Sequence, residues 1–281
     1  MRRNRTTSRV GDKNLSPTFY AREVRSHLNL GWGPINPRHV CDALAIRYFE
    51  DDLGASGNEA GALVCTESGR LGIVVNRSIL YAPRRRFTIA HELGHACIPT
   101  HSDLEKWCVA GDIEAFRSDR IIEREANEFA AEFLMPERTV RERLKREPPS
   151  IDVFTRVADE FGTSLTSTAC RVVSLADHDP CAVVLSSGGH VNWLVASRPF
   201  RRIVDPLGKG DTLSSETAAA RVMAGEMFSN VIYVVPVEAW LRRWPSNMNT
   251  INEQVIQFPR FGSTLSFLDF STIDDDWLDV D

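Results

Sequence analysis

The sequence predicts an α+β fold in which two groups of short strands are separated by a helical region. Short runs rich in Val, Leu and Ile, bounded by Gly, Asn and Asp, predict strands before residue 80 and again after residue 180. Between them, apolar residues recur at the i, i+4, i+7 spacing of amphipathic helices. We therefore expect a small sheet with strong helices first, and a separate α+β domain after it.

The first half of the chain opens with a basic, polar stretch over residues 1–35, which we expect to be a flexible tail. A short helical pattern starts at Pro37. Three strands are then predicted, over residues 46–49, 61–65 and 71–76. Three helices follow the strands, over residues 83–97, 119–135 and 137–147.

The second half begins with two short helical patterns, over residues 153–161 and 165–175. They flank Gly162-Thr163-Ser164, and this is the spacing of a helix-turn-helix. Strand-like runs on either side of Ser187-Gly188-Gly189 predict a β-hairpin. One more helix and three more strands are predicted, over residues 217–224, 231–237, 254–258 and 265–270.

These patterns predict four parts of the chain. They are a flexible tail over 1–35, a first domain over 36–149, a helix-turn-helix-like segment over 150–177, and a smaller α+β domain over 178–281 that ends in an acidic tail.

Composition excludes several classes of protein. The chain has 281 residues, of which 43% are hydrophobic and 25% charged, as in soluble globular proteins rather than fibrous or disordered ones. No run approaches the ~18 apolar residues of a membrane span, and no apolar segment follows the basic N-terminus as in a secretory signal. Six cysteines without a CxxC pair predict free thiols and a cytoplasmic location. A net charge of −5 argues against general nucleic-acid binding.

The sharpest chemical signal is the sequence His91-Glu92-Leu93-Gly94-His95 on the first strong helix. Residues four apart share a helical face, so the two histidines can hold one metal ion, and neutral imidazole suits zinc. Glu92 points away from that face but can reach a water at the metal. Zinc lowers the pKa of such a water to about 7, and Glu92 can then take its proton.

The spacing leaves the third metal ligand open. His101 follows His95 by six residues, as in the HExxHxxGxxH pattern, but Ile98 stands where that pattern needs a glycine. Glu123 on the second strong helix is the favoured candidate, with Asn127 one turn later orienting a ligand histidine. Cys97 and Cys108 are further alternatives. Other acidic residues of this helix are expected to be solvated charges, namely Glu125 and Glu128.

The segments RRRFTIAHELGHACI and EREANEFAAEFLMP resemble the ImmA/IrrE family of bacterial and phage metallopeptidases, over about residues 36–147. The resemblance implies a zincin-like metallopeptidase fold, with His91, His95 and Glu123 as zinc ligands and Glu92 as the general base. By ligand type, Mn²⁺ or Fe²⁺ can also fill such a site.

The resemblance also implies a function. Family members cut a helix-turn-helix repressor and so switch on genes, for example in damage responses. The order of parts resembles longer regulators of the family, whose C-terminal module is similar to GAF-type sensor domains. We therefore expect a protein substrate, with no membrane partner and an oligomeric state left open.

Two further expectations concern competing functions. A regulator that binds DNA or a repressor without cutting, with zinc as a structural or sensing element, is the alternative, but it has no need of Glu92. The 165–175 helix offers Arg171 as its only base, so we expect it to pack or dock protein rather than bind DNA directly.

The run Arg84-Arg85-Arg86 is expected to be a solvated patch.

Overall fold

The computed structural model describes residues 15–53, 60–65, 69–101 and 115–270, with side chains from residue 121 onward in the last range. The chain divides into two compact units, and the predicted α+β class is confirmed. The first unit comprises residues up to Pro136 together with Phe161–Thr163, and the second comprises Glu137–Glu160 and the chain from Ser164.

The first unit combines a small sheet with four helices of the described chain. The helices are α1 (Pro17–His27), α2 (Pro37–Ala43), α3 (Ala82–Cys97) and α4 (Ala115–Leu134). The strands are β1 (Arg47–Asp51), β2 (Gly61–Cys65) and β3 (Leu71–Asn76). The sheet order is β1-β3-β2, with β1 parallel and β2 antiparallel to the central β3. Ile73 and Val75 of β3 enter the same buried apolar cluster as Leu93 of α3 and Phe129 of α4.

The second unit is built around a five-stranded sheet. Its helices are α5 (Glu137–Leu144), α6 (Ile151–Phe161, whose last residue belongs to the first unit), α7 (Leu165–Ser174), α8 (Arg198–Ile203) and α9 (Ala218–Met223). Its strands are β4 (Cys181–Ser187), β5 (His190–Ala196), β6 (Asp205–Pro206), β7 (Ile232–Pro236), β8 (Leu241–Arg243), β9 (Thr250–Phe258) and β10 (Ser263–Asp269). The main sheet has the order β5-β4-β10-β9-β7, and β6 pairs with β8.

The core of the second unit contains a buried carboxylate. Glu253 accepts hydrogen bonds from the backbone N–H groups of Ala218 and Ala219, from Trp240 Nε1 and from the Ser266 hydroxyl, at 2.7–2.9 Å. Burial raises the pKa of Glu253, and these four donors oppose the shift. Trp240 is completely buried in this core and holds it together through both its ring and its N–H.

The helices α6 and α7 lie where the sequence predicts them. Gly162 takes the left-handed conformation between them (φ +61°), and the Ser164 hydroxyl caps α7 by accepting from the N–H of Ser167. Helix-turn-helix function of this segment stays a prediction. None of the described helices combines the length and the apolar character that a membrane span requires.

The expected tail over residues 1–35 is wrong where the structure describes it. The Ser16 hydroxyl caps α1, and the apolar stripe of α1 packs on the core of the first unit. Arg25 is 1% exposed, and its guanidinium donates to the carbonyls of Gly31, Gly33 and Phe133 at 2.6–2.9 Å. Burial lowers the pKa of Arg25 to about 10, although the negative charge of Glu132 acts to raise it. Residues 1–14 of the expected tail lie outside the described residues.

Replacing Arg25 by Met should destabilise the first unit by about 3 kcal/mol, because three carbonyls lose a charged donor while the apolar volume is kept. Urea unfolding followed by tryptophan fluorescence and circular dichroism measures the loss. Arg124→Met on the exposed face of α4 is the control, since Arg124 makes only a 3.8 Å surface pair with Glu128. Equal stability of the two variants would contradict the role of Arg25.

Candidate metal centre

The helix α3 carries three of the candidate residues on its last two turns. Its apolar face is anchored by Ala90 and Leu93, which are fully buried. His91 and His95 follow one another at i, i+4, so their rings lie side by side with centroids 4.8 Å apart. The helix ends at Cys97 and is capped by Ile98, whose N–H donates to the carbonyl of Gly94.

The helix α4 crosses α3 at short range, and Gly94 makes this approach possible. A Cβ atom at Gly94 would lie 3.2 Å from the Cα of Ala126 and 3.2 Å from the Cβ of Phe129. The contact between Gly94 and Ala126 therefore sets the spacing of the two helices. It also brings Glu123 and Asn127 of α4 over the histidines of α3.

His91, His95 and Glu123 converge on one point. His91 Nε2 is 3.1 Å from His95 Nε2 and 3.0 Å from Glu123 Oε2, and His95 Nε2 is 3.4 Å from Glu123 Oε1. Ligands about 2.05 Å from a tetrahedral zinc ion are separated from one another by about 3.3 Å. The three side chains thus fit the donor set and the spacing of such an ion.

The charges of the group favour a cation. Hydrogen bonds with His91 and His95 hold the pKa of the Glu123 carboxyl well below its usual range, so this carboxyl is ionised. The Glu123 side chain is 56% exposed whereas His95 is buried, so the group faces solvent on one side. The group can therefore be reached from solution on that side.

Asn127 lies where the sequence predicts it, behind His91. Its Oδ1 is 3.0 Å from His91 Nδ1. As an acceptor it can hold the proton of His91 on Nδ1 when a metal ion is bound at Nε2.

His101 does not join the three converging residues. Its Nδ1 is 3.1 Å from His95 Nδ1, on the side of that ring away from Glu123, and its Nε2 is 2.9 Å from Glu125 Oε2. Both ring nitrogens of His101 are therefore engaged elsewhere, which argues against it as the third ligand. The expectation that Glu125 is a solvated charge is wrong, because this carboxylate is half-buried against His101. Helical spacing alone could not reveal this pair.

Glu92 is buried beside the converging group, under the edge strand β2. Its carboxylate accepts a hydrogen bond from the backbone N–H of Leu63, and a Cβ atom at Gly61 would lie 3.0 Å from its Oε1. Burial raises the pKa of the Glu92 carboxyl, and the charges of His91 and His95 only partly offset this. A carboxylate in this position can receive a proton near the histidines.

The cysteines considered as ligands lie elsewhere or outside the described residues. Cys97 is a half-buried thiol whose pKa is raised to about 11 by burial, and among the described residues it does not join the converging His91, His95 and Glu123. Cys108 falls outside the described residues.

The three arginines before the site are not simply a solvated patch. Arg85 forms an ion pair with Glu50 and hydrogen-bonds the Tyr48 hydroxyl. Arg86 donates to the carbonyls of Ile35 and Phe161 and is part of the framework of the first unit. Sequence reasoning missed both roles, because the partners lie far away along the chain.

Known proteins share this region. Residues 41–172 match the family model described as the IrrE N-terminal-like domain, Peptidase M78. The radiation response metalloprotease IrrE of Deinococcus radiodurans is 30% identical over 112 residues, which are 40% of this chain and 33% of that protein. The match thus spans about a third of the relative's length.

A solved structure is similar over more of the chain. A Mycobacterium tuberculosis transcriptional regulator superposes with a TM-score of 0.54 at 16% identity, and the match covers 90% of this chain and 76% of that one. At this identity the likeness concerns the fold alone.

Replacing Glu123 by Ala should abolish stoichiometric metal binding, because the charged ligand is lost while both histidines remain. Mass spectrometry of the purified proteins should find about one metal ion per wild-type chain and none in the variant. Glu128→Ala, at an exposed position on the same helix, is the control and should keep its metal. Full occupancy in Glu123→Ala would exclude Glu123 as a ligand.

Proposed function

Because the chain belongs to the ImmA/IrrE family through its residues 41–172, we propose that it is a zinc-dependent endopeptidase that cleaves a specific regulatory protein. The observation that carries the proposal is the convergence of His91, His95 and Glu123 beside the buried carboxylate of Glu92. Two neutral imidazoles and one carboxylate, with a general base alongside, are the parts of a hydrolytic zinc site.

The residues would divide the work as follows. His91, His95 and Glu123 would hold the ion, which supplies Lewis acidity toward a peptide carbonyl and an attacking water. Glu92 would take a proton from that water on its carboxylate and later deliver it to the leaving amine. The hydrogen bond from the Leu63 N–H would keep the Glu92 carboxylate in place between the two transfers. The same three side chains would also bind Mn²⁺ or Fe²⁺. That zinc is the metal of the native protein is therefore itself part of the proposal.

We further propose that the substrate is a helix-turn-helix transcriptional repressor and that its cleavage derepresses genes in a stress response in the cytoplasm. The family resemblance supports this substrate class. The relative's name, radiation response metalloprotease, associates that protein with a stress response.

The second unit would select the substrate or sense a signal. It has its own sheet and its own core, so a ligand or partner could act on it as a separate body. The pair α6–α7 would dock protein rather than read DNA, because α7 offers Thr166, Ser167 and Thr168 near its start and Arg171 as its only base.

A regulator that binds without cutting is the alternative, and no observation favours it. A structural zinc site needs no general base, whereas Glu92 is buried at a position from which it can act as one.

Replacing Glu92 by Gln should reduce cleavage at least about 100-fold and leave metal binding intact, since the amide keeps the shape but cannot accept the proton. Newly formed protein N-termini, compared between cells that produce the wild type and cells that produce Glu92→Gln, would reveal the substrate. We expect a small set of cuts in the wild type alone.

The control for that experiment is Glu128→Gln, which should cut like the wild type. Wild-type levels of cleavage in Glu92→Gln would refute Glu92 as the general base of the proposed peptidase. A gene response that persists without any cleavage would establish the binding alternative.

A further inference from the structure

A second hydrogen-bonded pair stands behind the ligand His95, on the side away from Glu123. His101 lies in the turn after α3, where its N–H donates to the carbonyl of Ile98, and Glu125 lies on α4. The His101 ring bridges the two helices, with Nδ1 3.1 Å from His95 Nδ1 and Nε2 2.9 Å from Glu125 Oε2. At 1% exposure, His101 has little access to water that could replace either partner.

The hydrogens of this chain of contacts can be assigned in sequence. The Nε2 of His101 faces a carboxylate oxygen of Glu125 at 2.9 Å, and this hydrogen bond uses a hydrogen on Nε2. In a neutral imidazole the other nitrogen, Nδ1, is then the acceptor. In the form that binds a metal ion, His95 therefore carries its hydrogen on Nδ1, and its Nε2, beside His91 and Glu123, is left to bind the ion.

We infer that His101 and Glu125 are positioning residues that fix the tautomer and the ring orientation of the ligand His95. Asn127 does the corresponding work for His91 with a single amide, whereas His95 is held by a charged carboxylate acting through a second imidazole. The inference rests on the proposed metal site. Groups in such positions contribute about 10- to 100-fold to metal affinity, because they pre-orient the ligand and increase its basicity.

Four variants separate this role from general packing. His101→Leu fills the space but removes both hydrogen bonds. His101→Gln is the conservative rescue, because its amide oxygen can accept from His95 while its amide NH₂ donates to Glu125. Glu125→Ala removes the terminal acceptor, and Glu128→Ala is the matched control from the exposed part of the same helix.

The first measurement is the zinc dissociation constant of each folded full-length protein, from competition with a chromophoric chelator. We expect about 10-fold or greater weakening in His101→Leu and Glu125→Ala, with most of the affinity regained in His101→Gln and none lost in Glu128→Ala. Thermal unfolding of the metal-free proteins identifies any variant that is simply misfolded. If His101→Leu does not fold, the comparison of Glu125→Ala with Glu128→Ala decides.

The second measurement is the tautomer of His95 in the zinc-bound wild type, from long-range ¹H–¹⁵N NMR correlations of its ring. We expect zinc on Nε2 and the hydrogen on Nδ1, and a changed ¹⁵N chemical shift of His95 Nδ1 in Glu125→Ala, where the hydrogen bond to His101 is weakened. A hydrogen on Nε2, or wild-type zinc affinity in both His101→Leu and Glu125→Ala, would overturn the inference and leave the metallopeptidase proposal standing. A wild-type protein that binds no zinc, manganese or iron would overturn the metallopeptidase proposal itself.

Discussion

The close crossing of α3 and α4 is the constraint on which the candidate site depends. Each of these helices is an ordinary amphipathic helix with its apolar face in the core of the first unit. Gly94 has no side chain, so the backbone of α4 at Ala126 lies directly against it. This contact fixes the spacing of the two helices. Helical periodicity then places His91 and His95 on the α3 side of the site and Glu123 on the α4 side. A metal site formed in this way is pre-organised by packing, because its ligands are held by the same contacts that stabilise the core.

Much of the fold could be predicted because its signals are local. Periodicity and turn residues predict the hairpin around Gly188, the strands β1 to β3 and the helices α3 and α4. The helix α1 could not be found in this way, because its few apolar residues sit among charged ones. The helix α1 is held by contacts with residues that are distant in sequence. Arg25 donates to the carbonyl of Phe133, more than a hundred residues away along the chain.

The residues of the candidate site likewise divide into those that local spacing predicts and those that it does not. His91, Glu92 and His95 follow from a five-residue motif, and Glu123 and Asn127 follow from i, i+4 spacing on the next strong helix. The pair of His101 and Glu125 does not follow from any spacing. Glu125 is two residues from Glu123 and so lies on a different face of α4, and only the tertiary crossing shows that this face meets the turn after α3. A helical wheel can tell which residues share a face, but not what that face meets.

The first unit is discontinuous along the chain, and this bears on how such proteins can be divided or recombined. Its last piece, Phe161–Thr163, follows residues that belong to the other unit. The carbonyl of Phe161 accepts from Arg86, and the Thr163 hydroxyl donates to the sulfur of Met135. A fragment that stops at Pro136 would lose both partners, although it contains every residue of the metal centre. An exchange of C-terminal modules between relatives would therefore keep the first unit whole only if the junction fell after residue 163.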